Sequence, residues 1–341
     1  MSSADAGLRE APPPDPTLAG IRAMARDGAL DSLTRQPPQR VARRLAGLAA
    51  RDLSLARLAE GHVNALTLIR RLGTPEQLAS CTGPTRRGAL FGVWGADGPV
   101  PVTLRHGRLA GDKRYASGLG VVDVALVSAG AREGQRLVLV DARDPARHRP
   151  QDWEMSGMQA SRSGGFDCEG LPAGPDALLG APGDYMREPW FVGGTWRIAA
   201  LQLGGTLGLL ERAARVLHAR GQMEAEPHLI RLTPVLIRAR AALPAVIAAA
   251  EHAEGPAGQA DPEGAAVASA ACRLLTEELG LAAIPAVEQS LGLEMFRQDS
   301  PAGAMARDLA AYMRQVARDA FLRRVAHHHF LSGLPLTGGL E

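Results

Sequence analysis

Apolar residues recur at three-and-four spacing from Thr17 to about Leu78, most clearly in VARRLAGLAARDLSLARLAEGHVNALTLIRRL. That period predicts a helical region of about three helices, spanning 17–80 and stopped at Gly73. Ala49, Leu53, Ala56, Leu58 and Ala59 make its stripe, while Arg43, Arg44, Arg51 and Arg57 lie largely off it. Residues 1–16, small, polar and proline-rich, read as a mobile tail. Over 81–185 the pattern changes to short Val/Leu-rich runs between glycines and prolines. Strands are predicted at Leu90 to Trp94, Val100 to Arg105, Arg108 to Gly111, Arg114 to Ser117, Val122 to Ser128, Gln135 to Asp141 and Phe166 to Leu171, as in a sandwich or barrel. From 186 to 333 long Ala/Leu-rich helices return: Trp190 to Arg220, Glu226 to Ala253, Glu263 to Gly280, a further segment from Ala282, and Met305 to His329. Their lengths and one flexible loop, Gly255 to Pro262, suit a four-helix bundle. The expected fold is therefore helices, then a β-domain, then a helical bundle.

Composition narrows the class of function. The 38 Lys and Arg against 36 Asp and Glu are dispersed along the chain, which implies no nucleic-acid partner. Cys81, Cys168 and Cys272 stand far apart, so neither a disulfide framework nor a zinc site is indicated, and a reducing cytoplasm is the expected setting. No uninterrupted apolar run approaches the ~20 residues that cross a bilayer, so no membrane partner is expected. The run His327-His328-His329 does not suit a metal, because consecutive helical side chains point about 100° apart. Gly204, Gly205 and Gly208 lie inside a helix and read as close-packing positions, not as a phosphate loop.

Five stretches, in order from about residue 45 to about 320, resemble the acyl-CoA dehydrogenase superfamily. LARLAEGHVNALTLIRRLGTPEQ is similar to the family helix that ends in Gly-Thr-x-Glu-Gln. LAGDKRYASGLGVVDVALVSA resembles the segment against the flavin, and MSGMQASRSGGFDCEGLPAGPDALLGAPGDY the one that ends Leu-Leu-Gly-x-Pro-Gly. LQLGGTLGLLERAARVLHAR looks like the first bundle helix. VEQSLGLEMFRQDSPAGAMARDLAAYMRQ is similar to the Gln-x-x-Gly loop followed by Arg-Asp. The resemblance implies FAD between the β-domain and the bundle. Tyr115 and Ser117 match the aromatic and hydroxyl that contact the flavin, and as alternate residues of a predicted strand they would share a face. Trp94 lies where the family has its first flavin loop, whose acidic, Gly- and Ser-containing version is missing here. Arg220, Gln289 and Gly292 match groups that a partner subunit lends to the adenylate and pyrophosphate, which implies a homodimer or homotetramer. An Arg suits phosphate because its planar fork binds two oxygens at once.

What the resemblance does not supply is the base. Oxidising an acyl thioester, acyl-CoA or another, needs a carboxylate to take the α-proton while the flavin takes hydride. Counting on from Arg307-Asp308 reaches Gln315 and Val316, and between Pro189 and Leu210 there is no Asp or Glu. Glu188, Glu294 and the late histidines remain, and each reads as a surface or capping group, so no catalytic residue is assigned. The first expectation is a flavin-dependent oxidoreductase acting on an acyl thioester without the usual glutamate. The alternatives are a monooxygenase using flavin reduced elsewhere, or a non-catalytic binding or assembly subunit.

Overall fold

In the computed structural model, which describes residues 15–314, 317–333 and 336–337, five helices come first: α1 (Pro16–Arg26), α2 (Ala29–Leu33), α3 (Pro38–Arg51), α4 (Leu53–Leu72) and α5 (Pro75–Arg86). Residues 1–14 of the expected tail lie outside the described residues. Asp15 and Pro16, expected in that tail, belong to the fold instead: the Asp15 carboxylate accepts the Thr17 N–H at 2.9 Å and opens α1. Two further features exceed the sequence pattern. The stripe through Ala49, Leu53 and Ala56 reads as one helix, yet Asp52 is extended, and its carboxylate accepts the Leu55 N–H at 2.9 Å and starts a second helix. After Gly73, which ends α4 as expected, Thr74 and Gln77 form a reciprocal capping box that nucleates α5.

Nine short strands follow: β1 (Phe91–Trp94), β2 (Thr103–Arg105), β3 (Arg108–Ala110), β4 (Asp112–Lys113), β5 (Val124–Ala131), β6 (Gly134–Asp141), β7 (His148–Arg149), β8 (Gly165–Asp167) and β9 (Leu178–Leu179). They make a mixed sheet in the order β3-β2-β5-β6-β9, with β1 parallel to β5, and a second sheet in the order β4-β8-β7. Alternation places Ala125, Val127 and Ala129 of β5 and Val138 and Val140 of β6 in the core that also holds Trp94, Phe166 and Cys168. Leu126 and Leu137, one residue out of phase, pack with Leu66, Ile69 and Phe91 under α4. The larger sheet is thus apolar on both faces, between the smaller sheet and a helix.

The remaining helices are α6 (Trp196–Ala219), α7 (Glu226–Glu254), α8 (Pro256–Ala260), α9 (Pro262–Leu291), α10 (Pro301–Met313) and α11 (Arg318–Ala326). A break was expected after Gly280, but α9 runs through it and through Pro285. A Cβ on Gly280 would lie 2.1 Å from Met313 Cε, so this glycine serves the crossing of α9 and α10 and does not end a helix. Conversely, the expected final helix is divided. α10 stops at Met313, and Ala317, with φ 68°, caps the start of α11. α7 is the one described helix long and apolar enough to cross a membrane by length and composition. Its buried stripe, from Leu232 to Ala253, joins the core of the bundle, while Ile230 and Ile237 stay exposed.

Glycine sets how the first helices meet the bundle. A Cβ on Gly204 would stand 2.1 Å from the Ala46 carbonyl oxygen, and one on Gly208 2.3 Å from that of Ala50, so α3 crosses α6 backbone against backbone. Gly204→Ala is expected to lower stability by about 1–3 kcal/mol in urea unfolding, because backbone cannot yield as a side chain can. Gly47→Ala, exposed on α3 with no atom within 4 Å of the new methyl, should instead add about 0.5–1 kcal/mol.

His62 ties α4 to the sheet: its Nδ1 accepts the Phe91 N–H at 3.2 Å. Burial, with the Arg70 charge adding, outweighs the pull of Asp31 and drops the imidazole from the ordinary 6.5 to about 4. Between those two values the unfolded chain binds a proton that the folded chain refuses, so stability falls as the pH drops from 6.5 towards 4. The loss due to His62 should reach roughly 3 kcal/mol. Denaturant titrations of wild type and His62→Gln across that range should differ by this pH-dependent amount.

Candidate functional site

The loop after β4 and the loop before β8 are laced together on top of α4. Ala116 N–H donates to the Gly164 carbonyl, Gly118 N–H to Ser161 and Leu119 N–H to Arg162, each at 2.9 Å. Gly118 has φ 85°, and a Cβ there would lie 3.1 Å from Leu58 of α4. The chain must therefore turn here, and the strand expected over Arg114 to Ser117 does not form. β4 ends at Lys113, and Tyr115 takes a left-handed φ of 56°. Tyr115 and Ser117 consequently do not share a strand face. The exposed Tyr115 ring meets the edge of Trp153 at 5.9 Å, with the Arg114 guanidinium over its face at 4.9 Å. Ser117 Oγ instead lies 3.0 Å from Ser163 Oγ, which lies 2.8 Å from Ser161 Oγ, itself donating to the Met158 carbonyl.

Trp94 supports this group from beneath. It is buried, its ring 4.8 Å from that of Phe166, and its indole N–H donates to the Ser117 carbonyl at 3.1 Å. It therefore holds the backbone of Ser117 from within the β core. Lys113, the sole lysine, is fully buried and spends its ammonium on Asp97 at 2.5 Å, Ser128 at 2.9 Å and the Gly95 carbonyl at 3.3 Å. It fixes the loop that leaves β1. Contact with the bundle is made at Gly157, where a Cβ would lie 2.1 Å from the Arg307 carbonyl. The adjacent Met158 N–H donates to Asp308 at 2.6 Å, and burial raises that carboxyl above its usual range.

Below the loops, α4 and α6 carry a buried charged group absent from the sequence-based candidates. Glu60 lies 2.6 Å from Arg57 and 3.6 Å from Arg197, and Arg197 also donates to Asn64 and to Glu254, each at 2.9 Å. Glu254 receives Arg71 at 2.9 Å and the Trp196 indole at 3.3 Å. Burial alone would raise the Glu254 carboxyl, but the two guanidiniums override it and the net shift is downward. A cavity of about 310 Å³ opens beside Arg197, Arg71 and Arg70. Two buried phenols feel the Glu60 charge. Tyr185 is pushed up to about 12 by burial and by the Glu60 charge, and Tyr312 is raised for the same reasons. Tyr185 Oη lies 3.4 Å from where Gly95 would carry a Cβ, which brings this group to the end of β1. The sequence signal was available: Glu60 occupies a stripe position one turn beyond Ala56, where a charge is costly unless paired.

The other expected residues lie apart. Arg220, exposed at the end of α6, points its guanidinium 3.5 Å from the Leu291 carbonyl and 3.6 Å from Glu294. Gly292 caps α9 at φ 63°, and Gln289 is exposed in the turn before it. Arg220, Gln289 and Gly292 thus share one end of the bundle. Leu309, next to Asp308, packs on Gly205, so Arg220 stands about 22 Å further along α6 from the level of the loops. Gln315 and Val316, where the usual base would be counted, lie outside the described residues. Glu188 accepts the Val192 and Gly193 N–H groups and pairs with Arg324 at 2.8 Å, so it is a cap. His328 and His329 pair edge to face at 5.0 Å on the turn after α11.

No family model and no curated protein matches the sequence. Solved structures do. Dibenzothiophene monooxygenase TdsC from Paenibacillus sp. A11-2, in its FMN-bound form, is 19% identical, with 94% of this chain and 96% of that one covered and a TM-score of 0.75. Butyryl-CoA dehydrogenase from Megasphaera elsdenii is 14% identical over 92% of this chain and 98% of that one, at 0.70. Methanesulfinate monooxygenase MsuC from Pseudomonas fluorescens is 17% identical over 94% and 96%, at 0.69. The order of helices, paired sheets and bundle, superimposable along nearly the whole length, means that the chain has the acyl-CoA dehydrogenase fold.

Proposed function

We propose that this chain is a flavin-dependent oxidoreductase whose flavin lies where the Tyr115–Ser117 and Trp153–Ser163 loops meet the bundle. The reading rests on the linked hydroxyls of Ser117, Ser163 and Ser161 beside the Tyr115 and Trp153 rings. Small hydroxyls and aromatic edges at one loop junction suit a flat heteroaromatic ring with acceptors along its rim. A flavin bound there supplies two-electron transfer. The chain's own part is to aim donors at it and to keep the site dry: Trp94 fixes the Ser117 backbone, and Asp308 anchors the second loop on α10.

Between the readings open to the sequence, oxygen-dependent monooxygenation with flavin reduced elsewhere now fits better than oxidation of an acyl thioester. The observation that favours it is that the two buried carboxyls described at and below the junction are engaged: both Glu60 oxygens face guanidiniums, of Arg57 and Arg197, and Asp308 accepts the Met158 N–H. Dehydrogenation needs an unengaged carboxylate at the α-carbon. FMN and FAD both remain within this proposal. Two of the structural neighbours are monooxygenases by name and one is a dehydrogenase. The distance of Arg220, Gln289 and Gly292 from the loops supports a homodimer in which, with FAD bound, a second copy lends these groups to the adenylate end of the flavin.

Purified protein should bind FMN or FAD with a perturbed 300–550 nm spectrum. Ser117→Leu should lower occupancy by about tenfold, the loss of one hydrogen bond to a charged rim, while thermal unfolding stays cooperative. Supplied with separately reduced flavin, the protein should consume oxygen in step with a substrate. Anaerobic bleaching of bound flavin by an acyl-CoA would return the assignment to dehydrogenation, and no flavin binding at all would end the redox reading.

A further inference from the structure

A second buried arginine lies in the bundle away from the junction loops. Arg273, in the middle of α9, is 1% exposed, and none of its Nε, Nη1 and Nη2 atoms has a hydrogen-bond acceptor among the described residues. Around it, Ser269 Oγ and Gln202 Nε2, both fully buried, are also without partners. At 100° per residue, Ser269, Arg273, Thr276, Glu277 and Gly280 occupy one 100°-wide face of α9. One edge of that face meets α6, where Gln202 Oε1 accepts the Thr276 hydroxyl at 2.7 Å, leaving the Gln202 amide free to donate. The other edge lies under α11, whose Phe321 ring covers the Arg273 guanidinium at 4.7 Å.

The hydrogen bonds of Arg273 are unmet there. Glu277 is the counter-ion within reach, but its Oε1 accepts Arg318 Nε at 3.0 Å, and its Oε2 stands 3.7 Å from Arg273, beyond hydrogen-bond length. Arg318 is answered by Glu277 and also by Glu278 at 3.6 Å, so what stays unmet is hydrogen bonding at Arg273, whose three nitrogens face one unused carboxylate oxygen beyond bonding length. A buried guanidinium without an acceptor is costly, and of the partners that could satisfy it a planar carboxylate matches two parallel N–H bonds. Apolar side chains border the group: Ala266, Ala270, Val192 and Phe321.

We propose that Arg273, with Gln202 and Ser269, binds a small carboxylate anion between α6 and α9, and that α11 closes over it. α11 is the lid: none of its residues is fully buried, and it is held by the packing of Phe321 and Val325 on Val192, Ala266 and Ala270 and by ion pairs, Arg318 with Glu277 and Arg324 with Glu188 and Glu263. The site owes nothing to the flavin reading and stands or falls separately.

The test is thermal unfolding of the full chain titrated with sodium acetate, against sodium chloride at equal ionic strength. Wild type should show a saturable rise in Tm with acetate only. Arg273→Met should fold, since an apolar side chain of similar volume is tolerated at buried charged positions, and should lose the acetate response. Gln202→Leu should keep the response but need about tenfold more acetate for half its amplitude, the loss of one charge-assisted hydrogen bond. If Arg273→Met does not fold, the Gln202→Leu midpoint decides alone. Equal effects of acetate and chloride on wild type, or an unshifted midpoint in Gln202→Leu, would overturn the site.

Discussion

Arg197 is the joint on which the architecture turns. It sits in the first turn of α6, almost without solvent, and reaches Glu60 and Asn64 on α4 and Glu254 on α7. A guanidinium so buried is stable only when its donors are met from fixed directions, and those directions come from three helices that must therefore be in register with one another. Arg71 and Trp196 complete the far side by sharing Glu254. The first helical region and the bundle are locked together at this point by charge, just as they are locked further along α6 by the glycine contacts with α3. One lock is directional and the other steric, and together they leave little freedom to slide.

That rigidity is what the loops exploit. Their backbones are held by Trp94 from the β core and by Asp308 from the bundle and packed on Leu58 of α4, so Ser117 and Ser163 are presented by three supports. A site built at such a junction is precise because no single element carries it. The same geometry explains why the two sets of expected cofactor residues do not meet in one chain: a helix of 24 residues such as α6 separates its ends by a fixed distance.

Much of the fold was legible in the sequence, since period alone distinguishes α4 or α6 from β5. What the period could not carry were boundaries set by single side chains. Asp52 splits an apparently continuous stripe by capping, Pro285 fails to stop α9, and Ala317 divides a run that looks helical. The loop at Tyr115 was misread as strand because its alternation is real, whereas the turn is made at Gly118, at φ 85° with a Cβ position 2.6 Å from Val122 and 3.1 Å from Leu58 of α4. At the site, Ser117 was legible by resemblance. Glu60 was legible only as a charge on an apolar stripe, and the partners that give Glu60, Arg197 and Arg273 their meaning come from tertiary structure.

The contrast between the two buried arginines sharpens this. Arg197 and Arg273 stand on neighbouring bundle helices with similar exposure, 5% and 1%. Arg197 has carboxylates on two sides and an amide on a third, and so it works as a strut. Arg273 has a single distant carboxylate already engaged with Arg318, together with an aromatic ring that contributes little against full desolvation. If both were structural, selection for stability would favour an aliphatic side chain at the second, which would fill the same volume without the desolvation cost. Retaining the charge there makes sense when something other than the fold answers it, which is why the difference between these two residues points to a ligand and not to a flaw of packing.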